Sequence, residues 1–429
     1  MDQIKDHPLR YQLANELHAR PFPAIQAPCH AVYLAIKQPQ EAANRDRALD
    51  WAHLVDLLDR FGAKHPQPGA THYFGELGKH KFKWEQHTEF VSYTIFVDGV
   101  AERPFDKDAF EVFPADWLAA APGVCVTSAL IRVEQMSAPE VIAEKLGEWF
   151  VAESLAASLI LDGCAVMAGD FRLDSAGHMR FAVFTEEGTG PRRVGRIVQR
   201  ICEIETYKAL SMLGLSRARG LSAQLGAIDT RLEAMVSAMT SQSARAEETL
   251  TALLGIAAEL EGLLATSSFR FSATKAYEAL VEQRIEVLRE ERFEGRQIFR
   301  EFMARRFDPS MRTVQATKTR LKTMAERAIR AGDLLRTRVD VERSAQNQAL
   351  LESMDRRADM QLRLQRTVEG LSVVAISYYA VNLASYLVYP FTEPLGWSKG
   401  LVLAGLTPIV VGLVFLMVRR IRHAVEKSG

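Results

Sequence analysis

The pattern of hydrophobic and polar positions changes character twice along the 429-residue chain. Up to residue 190 the apolar positions come in short runs: Ala31–Lys37 (AVYLAIK), Phe90–Val97 (FVSYTIFV), Val124–Glu134, Ala165–Leu173 and Met179–Thr185. Short β-branched and aromatic runs of this kind predict strands. Helical patterns lie between them, notably over 40–61 and 139–150, and Asp174-Ser175-Ala176-Gly177 predicts a hairpin turn. The mixture predicts an α+β protein whose N-terminal domain, residues 1–190, is a mixed α/β sandwich.

From 191 to 369 the period becomes helical. Leu221, Leu225, Ile228, Leu232, Met235 and Met239 step 4-3-4-3-4, a heptad seam. Residues 244–304 predict two further helical stretches separated near Thr266–Ser272. Phe307-Asp308-Pro309-Ser310 is a helix-start signal, and no proline follows from Ser310 to Tyr389. Leu321, Met324, Ala328, Leu335 and Val339 keep a 3–4 spacing there. Residues 310–369 would extend about 90 Å as one helix. The region 191–369 therefore reads as a coiled-coil-like helical stalk, and the same pattern suits an intermolecular stalk or a bundle within one chain.

Two uncharged stretches follow, Gly370–Phe391 and Gly400–Val418, of 22 and 19 residues. A bilayer core needs roughly 20 apolar residues, so both predict transmembrane helices. The connector Thr392–Lys399 forces a hairpin over 370–420, and Tyr386, Tyr389 and Trp397 stand where interfacial aromatics are expected. Arg356, Arg357, Arg363 and Arg366 precede the first span. Arg419, Arg420, Arg422 and Lys427 follow the second, in or beside a short tail at 421–429. This placement of basic residues predicts that both termini are cytoplasmic. Within the first span Tyr378, Asn382, Ser385 and Tyr389 share one helix face. A polar stripe in lipid needs partners, which points to self-association, and Gly405 and Gly412 would permit close helix contact. The stripe reads either as the lining of a pore or as polar glue between helices.

Composition changes the picture in one respect. The formal charge is zero, yet residues 1–190 hold 17 Lys+Arg against 27 Asp+Glu, leaving 36 against 26 for the rest. An acidic body is joined to a basic, membrane-proximal region. Cys29, Cys125, Cys164 and Cys202 lie far apart without a C-x-x-C, which argues against a zinc or disulfide framework. The opening MDQIKDHPLRYQ has no apolar segment of a secretory signal.

Eight of the ten histidines precede residue 88, which invites a metal hypothesis. In Glu85-Gln86-His87-Thr88-Glu89 a strand would point Glu85, His87 and Glu89 the same way, and such a set binds divalent ions. In Asn15-Glu16-Leu17-His18-Ala19-Arg20-Pro21 a helix ending before Pro21 would set Glu16 and Arg20 one turn apart. His18 and Arg20 could there hold an anion, or the group could be a structural ion pair. Both clusters also read as salt-bridged structural residues. No Walker A loop, G-x-S-x-G, H-E-x-x-H or G-x-G-x-x-G is present, so no catalytic residue is assigned. Gly188–Gly195 (GTGPRRVG) reads as a strand-to-helix loop. The Arg-rich helices carry many acids and adjoin a membrane, so a solvated stalk or contact with anionic lipid is expected rather than nucleic acid.

Asn15–Pro23 (NELHARPFP), Trp84–Phe90 (WEQHTEF) and Val368–Tyr379 (VEGLSVVAISYY) resemble a bacterial membrane-protein family of unknown function, over nearly the whole chain. That resemblance implies a bacterial inner-membrane protein. The layout is also similar to the CorA-type divalent cation transporters, which join a cytoplasmic α/β domain to a long helix, two C-terminal spans and a basic tail, and assemble as pentamers. The matching pieces are the helix after Pro309, the two spans, Thr392–Lys399, Glu393-Pro394-Leu395-Gly396-Trp397 and the tail Arg419–His423. The Gly-Met-Asn signature of those transporters is replaced by Tyr379-Ala380-Val381-Asn382. This resemblance implies a homo-oligomeric cation channel with a divalent cation as cargo, Asn382 and Tyr378 along the path and Glu393 drawing cations to the outer mouth. Two other readings stand beside it: a membrane-anchored scaffold or sensor binding through its head, and a membrane-tethered metal-dependent enzyme using His18, His87 and Glu89.

Overall fold

The computed structural model describes residues 4–16, 22–240, 246–392 and 398–426. The apolar run predicted at Ala31–Lys37 lies in strand β1 (Cys29–Lys37), buried on both faces. A strand with a continuous apolar run belongs in the middle of a covered sheet. The others are β2 (His72–Leu77), β3 (His80–Gln86), β4 (Phe90–Asp98), β5 (Val124–Gln135), β6 (Ala156–Ile160), β7 (Ala165–Leu173), β8 (Met179–Thr185) and β9 (Glu291–Arg292). They form one mixed sheet in the order β2-β3-β4-β1-β5-β8-β7-β6-β9. Among the described residues only the β5–β8 pair is parallel.

Helices α1 (Arg10–Glu16), α2 (Arg47–Arg60), α3 (Ala115–Ala119) and α4 (Pro139–Trp149) come before the long ones. One element order occurs twice: β1, α2 and the meander β2–β3–β4, then β5, α4 and the meander β6–β7–β8. In each half the last strand of the meander pairs with the first strand, antiparallel in one half and parallel in the other.

One face of the sheet packs on the short helices. Val32 and Leu34 of β1 share a core with Leu54, Leu57 and Trp117, and Ala168, Ala182 and Phe184 share another with Ile142, Leu146 and Trp149. Side chains alternate along a strand, so Tyr33 points to the opposite face. There it meets helix α5 (Pro191–Thr240): the Tyr33 hydroxyl and Thr206 Oγ1 are 2.6 Å apart, and Thr127 donates to Glu205 at 3.1 Å. Pro191 opens α5 where its missing N–H costs nothing, so the loop expected over Gly188–Gly195 ends at Gly190 and its second half is the first turn of the helix.

Helix α6 (Ala246–Glu286) packs along α5, followed by α7 (Phe299–Arg306), α8 (Asp308–Thr392) and α9 (Lys399–Glu426). The heptad seam closes within the chain: Leu221, Leu225, Ile228 and Leu232 are buried, as are Leu253, Ile256 and Leu260 of α6. At Gly214 a Cβ would stand 2.2 Å from Thr274 Oγ1, so that crossing requires glycine. The break expected near Thr266–Ser272 is absent. Thr266 bonds back to Gly262 O at 2.9 Å, the fully buried Ser267 accepts from Arg217 at 3.1 Å, and Phe271 is buried, so these helix-weakening residues are held by packing. The helix start expected at Asp308-Pro309 is present.

The chain divides into two compact units, Met1–Gly332 and Asp333–Gly429. Among the described residues three helical stretches are long and apolar enough to cross a membrane: Ala246–Glu286, Phe299–Val388 (α7 running on into α8) and Lys399–Ile421. In the second unit Leu371, Val374, Leu383, Leu387, Leu401, Ile409, Leu413 and Leu416 are all exposed, as on a surface that faces lipid or a partner.

The first core contains a titratable group. His53 is stacked on Trp117 with ring centres 3.9 Å apart. Its Nε2 donates to Trp117 O at 3.1 Å, and Nδ1 lies 2.8 Å from the Tyr93 hydroxyl. Burial lowers its pKa from 6.5, and burial does the same for His80 and His178. A lowered histidine pKa means that the unfolded chain takes up the proton first, so this stability is present above pH 6.5 and is lost as pH falls through it. The thermal midpoint of the full chain should therefore fall between about pH 7.5 and pH 5.5, and His53→Gln should flatten that slope without abolishing it. A midpoint that is flat over this range in the wild type would contradict the assignment.

Candidate functional site

The site is built on the turn between β3 and β4, within Trp84–Phe90. Trp84 is buried in the core and Gln86 donates to Asp50 at 3.1 Å. Arg45, preceding α2, fixes the turn from beneath. It donates to the carbonyls of His87 at 2.8 Å, Thr88 at 2.5 Å and Phe90 at 3.1 Å, while its Nε pairs with Asp50 at 2.8 Å. A planar guanidinium with five donors suits this task, and a lysine could not replace it.

The turn overturns one expectation. β3 ends at Gln86, so Glu85, His87 and Glu89 do not lie on one strand face. Glu85 pairs with Lys83 at 3.1 Å and His87 stacks on Phe90 with ring centres 4.1 Å apart. Glu89 turns the other way, 1% exposed, to accept from Arg270 and from the Tyr277 hydroxyl at 3.0 Å, with Lys37 Nζ at 3.6 Å. Burial, and then the Arg270 cation, lower the Lys37 pKa, while burial and Glu89 raise that of Tyr277. Among the described residues no three His, Cys, Asp or Glu side chains group to hold a metal ion.

Glu85 and His87 instead line a cavity of about 270 Å³ between the sheet and α5. Lys83, Ser92, Thr94 and Phe96 form the floor, Gln199, Arg200, Glu203 and Tyr207 of α5 one wall, and Arg284 of α6 closes an end. Most of its charges are paired inside it: Lys83 with Glu85 and with Gln199 at 2.8 Å, and Arg284 with Glu203. Arg200 is half-buried and makes no ion pair among the described residues. Burial lowers its pKa. His87, Phe90 and Tyr207 form an aromatic side, continued by Tyr277 stacked on Tyr207 at 5.6 Å.

Phe22, the penultimate residue of Asn15–Pro23, reaches the same cavity, with the Arg196 guanidinium 4.8 Å from its ring centre. Residues 22–25 cross the start of α5, where Ile25 N donates to Pro191 O at 3.2 Å. A Cβ on Gly195 would stand 1.7 Å from Pro23 O, so glycine is required for the crossing. Two of the three distinctive sequence segments thus meet at one cavity.

Residues 5–425 match the family described as "Protein of unknown function (DUF3422)". The chain belongs to this family. No curated protein matches it. Membership in DUF3422 covers the head, the long helices and both C-terminal apolar segments.

Of the remaining predicted residues, Tyr378 is 67% exposed, and Asn382 and Ser385 are half-buried, with Ser385 Oγ donating to Asn382 O at 2.7 Å. His18, Arg20, Glu393 and the side chains of Glu16 and Tyr389 lie outside the described residues.

Sequence reasoning missed Arg45, Arg270, Tyr277, Arg200 and Arg284. Arg270 and Tyr277 stand seven apart on one face of α6, the only local signal, and nothing in the sequence joins that face to Glu89, 181 residues away. Removing the carboxylate would leave two cations buried together. Glu89→Gln should therefore cost about 3–5 kcal/mol in the unfolding free energy of the full chain. A loss under about 1 kcal/mol in a denaturant titration would show that the cluster is solvated, contrary to this structure.

Proposed function

We propose that the protein is a membrane-anchored sensor whose head binds a small anionic ligand in the cavity between the β3–β4 turn and α5. The observation that carries the reading is Arg200, a half-buried guanidinium facing a cavity whose other charges are largely paired with one another. A guanidinium of this kind recognises carboxylate or phosphate, and the rings of Phe90, His87 and Tyr207 suit a flat apolar body beside it. In this reading α8 and α9 supply two spans in a bacterial inner membrane, with both termini in the cytoplasm. The third apolar helix, α6, is tied into the head instead: Arg270 and Arg284 pair with Glu89 and Glu203, and Leu253, Leu260, Phe271 and Val281 are buried.

The test is thermal unfolding of the full chain in nanodiscs against ring-bearing anions and their neutral counterparts: adenosine monophosphate and adenosine, benzoate and benzamide. An anion that binds should stabilise the wild type, by about 2.7 kcal/mol at a hundredfold excess over its Kd. It should not stabilise Arg200→Ala, and the neutral compound should have no effect. Equal responses of the two proteins to every anion would sink the reading.

A polar face on the first C-terminal span favours a second reading. Tyr378 is exposed, and Asn382 and Ser385, half-buried, follow it at i+4 and i+7 on the same helix face. In a homo-oligomer, a pentamer by the CorA-like layout, Tyr378 and Asn382 would line a path for divalent cations, with Glu393 at its outer mouth. This reading predicts uptake of Mg, Co, Ni or Zn into reconstituted vesicles, weakened by Asn382→Leu. Uptake no greater than into empty vesicles would remove it.

A further inference from the structure

Helix α5 divides its face of the sheet, and a second cavity lies on the other side of the helix, with a volume of about 470 Å³. Its chemistry is the reverse of the first. Phe171, Leu173, Met179, Met212, Phe302 and Phe307 give it an apolar lining. The lining is firmly placed. β7 is irregular between Gly169 and Leu173, and Phe171 takes φ 54°, a conformation unfavourable for a bulky residue. That turn of backbone stacks the Phe171 ring on Phe302 at 4.3 Å and sets it edge-on to Phe299 at 5.1 Å.

Two cations stand over this apolar surface. Lys208 Nζ is 4.9 Å from the Phe171 ring centre and pairs with the buried Glu205 at 2.7 Å, leaving two of its three N–H groups beyond that bond. The Arg306 guanidinium is 5.5 Å from the Phe302 ring centre and makes no ion pair among the described residues. The volume lies in the range of small-molecule sites. An apolar trough with cations over it is complementary to an amphiphile with one anionic end.

We propose that this cavity is a binding site for a free long-chain fatty acid, its alkyl chain along Phe171, Met179, Met212 and Phe302 and its carboxylate on Lys208 and Arg306. The occupant is a free acid rather than a phospholipid because the lining offers two side-chain cations and a single apolar trough, which match one carboxylate and one chain. The proposal is independent of the ligand of the first cavity, from which α5 separates it.

The experiment is photolabelling of the full chain in nanodiscs with a diazirine-bearing palmitate, followed by peptide mapping. Labels are expected within 171–179, 209–212 and 302–307. Unlabelled palmitate should compete and hexadecanol, which lacks the carboxylate, should not. Loss of the charge-assisted contact in the exposed variant Arg306→Gln should weaken competition by about tenfold. Met212→Trp, which fills the trough from a partly exposed position, should abolish labelling while the thermal midpoint holds. Labelling confined to the C-terminal apolar helices, equal competition by hexadecanol, or labelling of the same peptides by a diazirine-bearing phosphatidylglycerol in place of the acid would overturn the proposal.

Discussion

Helix α5 must lie flat on a sheet face that is not purely apolar, and the head is organised by how that is achieved. Its buried face carries Val194, Ile197, Val198, Ile201 and Ile204, and also Glu205 and Thr206. Burying those polar groups would cost several kcal/mol without partners. The sheet supplies them: Tyr33 meets Thr206 and Thr127 donates to Glu205, so two bonds fix both the rotation and the translation of the helix. The apolar residues supply the stabilisation, and the polar ones specify a single placement.

From that placement the two cavities follow. A helix crossing a wide sheet covers a strip and leaves a space on either side. The space over β3 and β4 receives Lys83, Glu85 and His87, and α6 adds Arg284, which makes it polar. The space over β7 and β8 receives Phe171, Leu173 and Met179, and α7 adds Phe302, which makes it apolar. The same helix then continues beyond the sheet and closes its heptad seam on α6, so the helical layer is built from the element that frames the sites. Arg45 and Glu89 hold the β3–β4 turn in position from two sides, one through its backbone carbonyls and the other through α6.

Much of the framework could be read from the sequence because it is local. The central strand around Ala31–Lys37, the turn at Asp174–Gly177 and the start of α8 at Asp308-Pro309 each rest on residues within a few positions of one another. Where the reading failed, distance in sequence or packing decided. Thr266–Ser272 is weak in intrinsic helix preference, and burial of Ser267 and Phe271 overrides it. Glu85, His87 and Glu89 suggested one strand face, but the turn is set by Arg45, some forty residues earlier, which periodicity does not register. The site was half legible: the Trp84–Phe90 segment was singled out for its histidine and carboxylates, and two of them do line a cavity. Arg200 and Arg284 became visible only once α5 and α6 were in place.

The central claim is that the cavity beside the β3–β4 turn is a ligand site and not merely a packing defect under a long helix. Electron cryo-microscopy of the full chain purified from its own membrane tests it most directly. The account predicts density for a small molecule in that cavity, within hydrogen-bonding distance of the Arg200 guanidinium. Well-resolved side chains around a cavity holding only water, with Arg200 turned out to solvent, would contradict it.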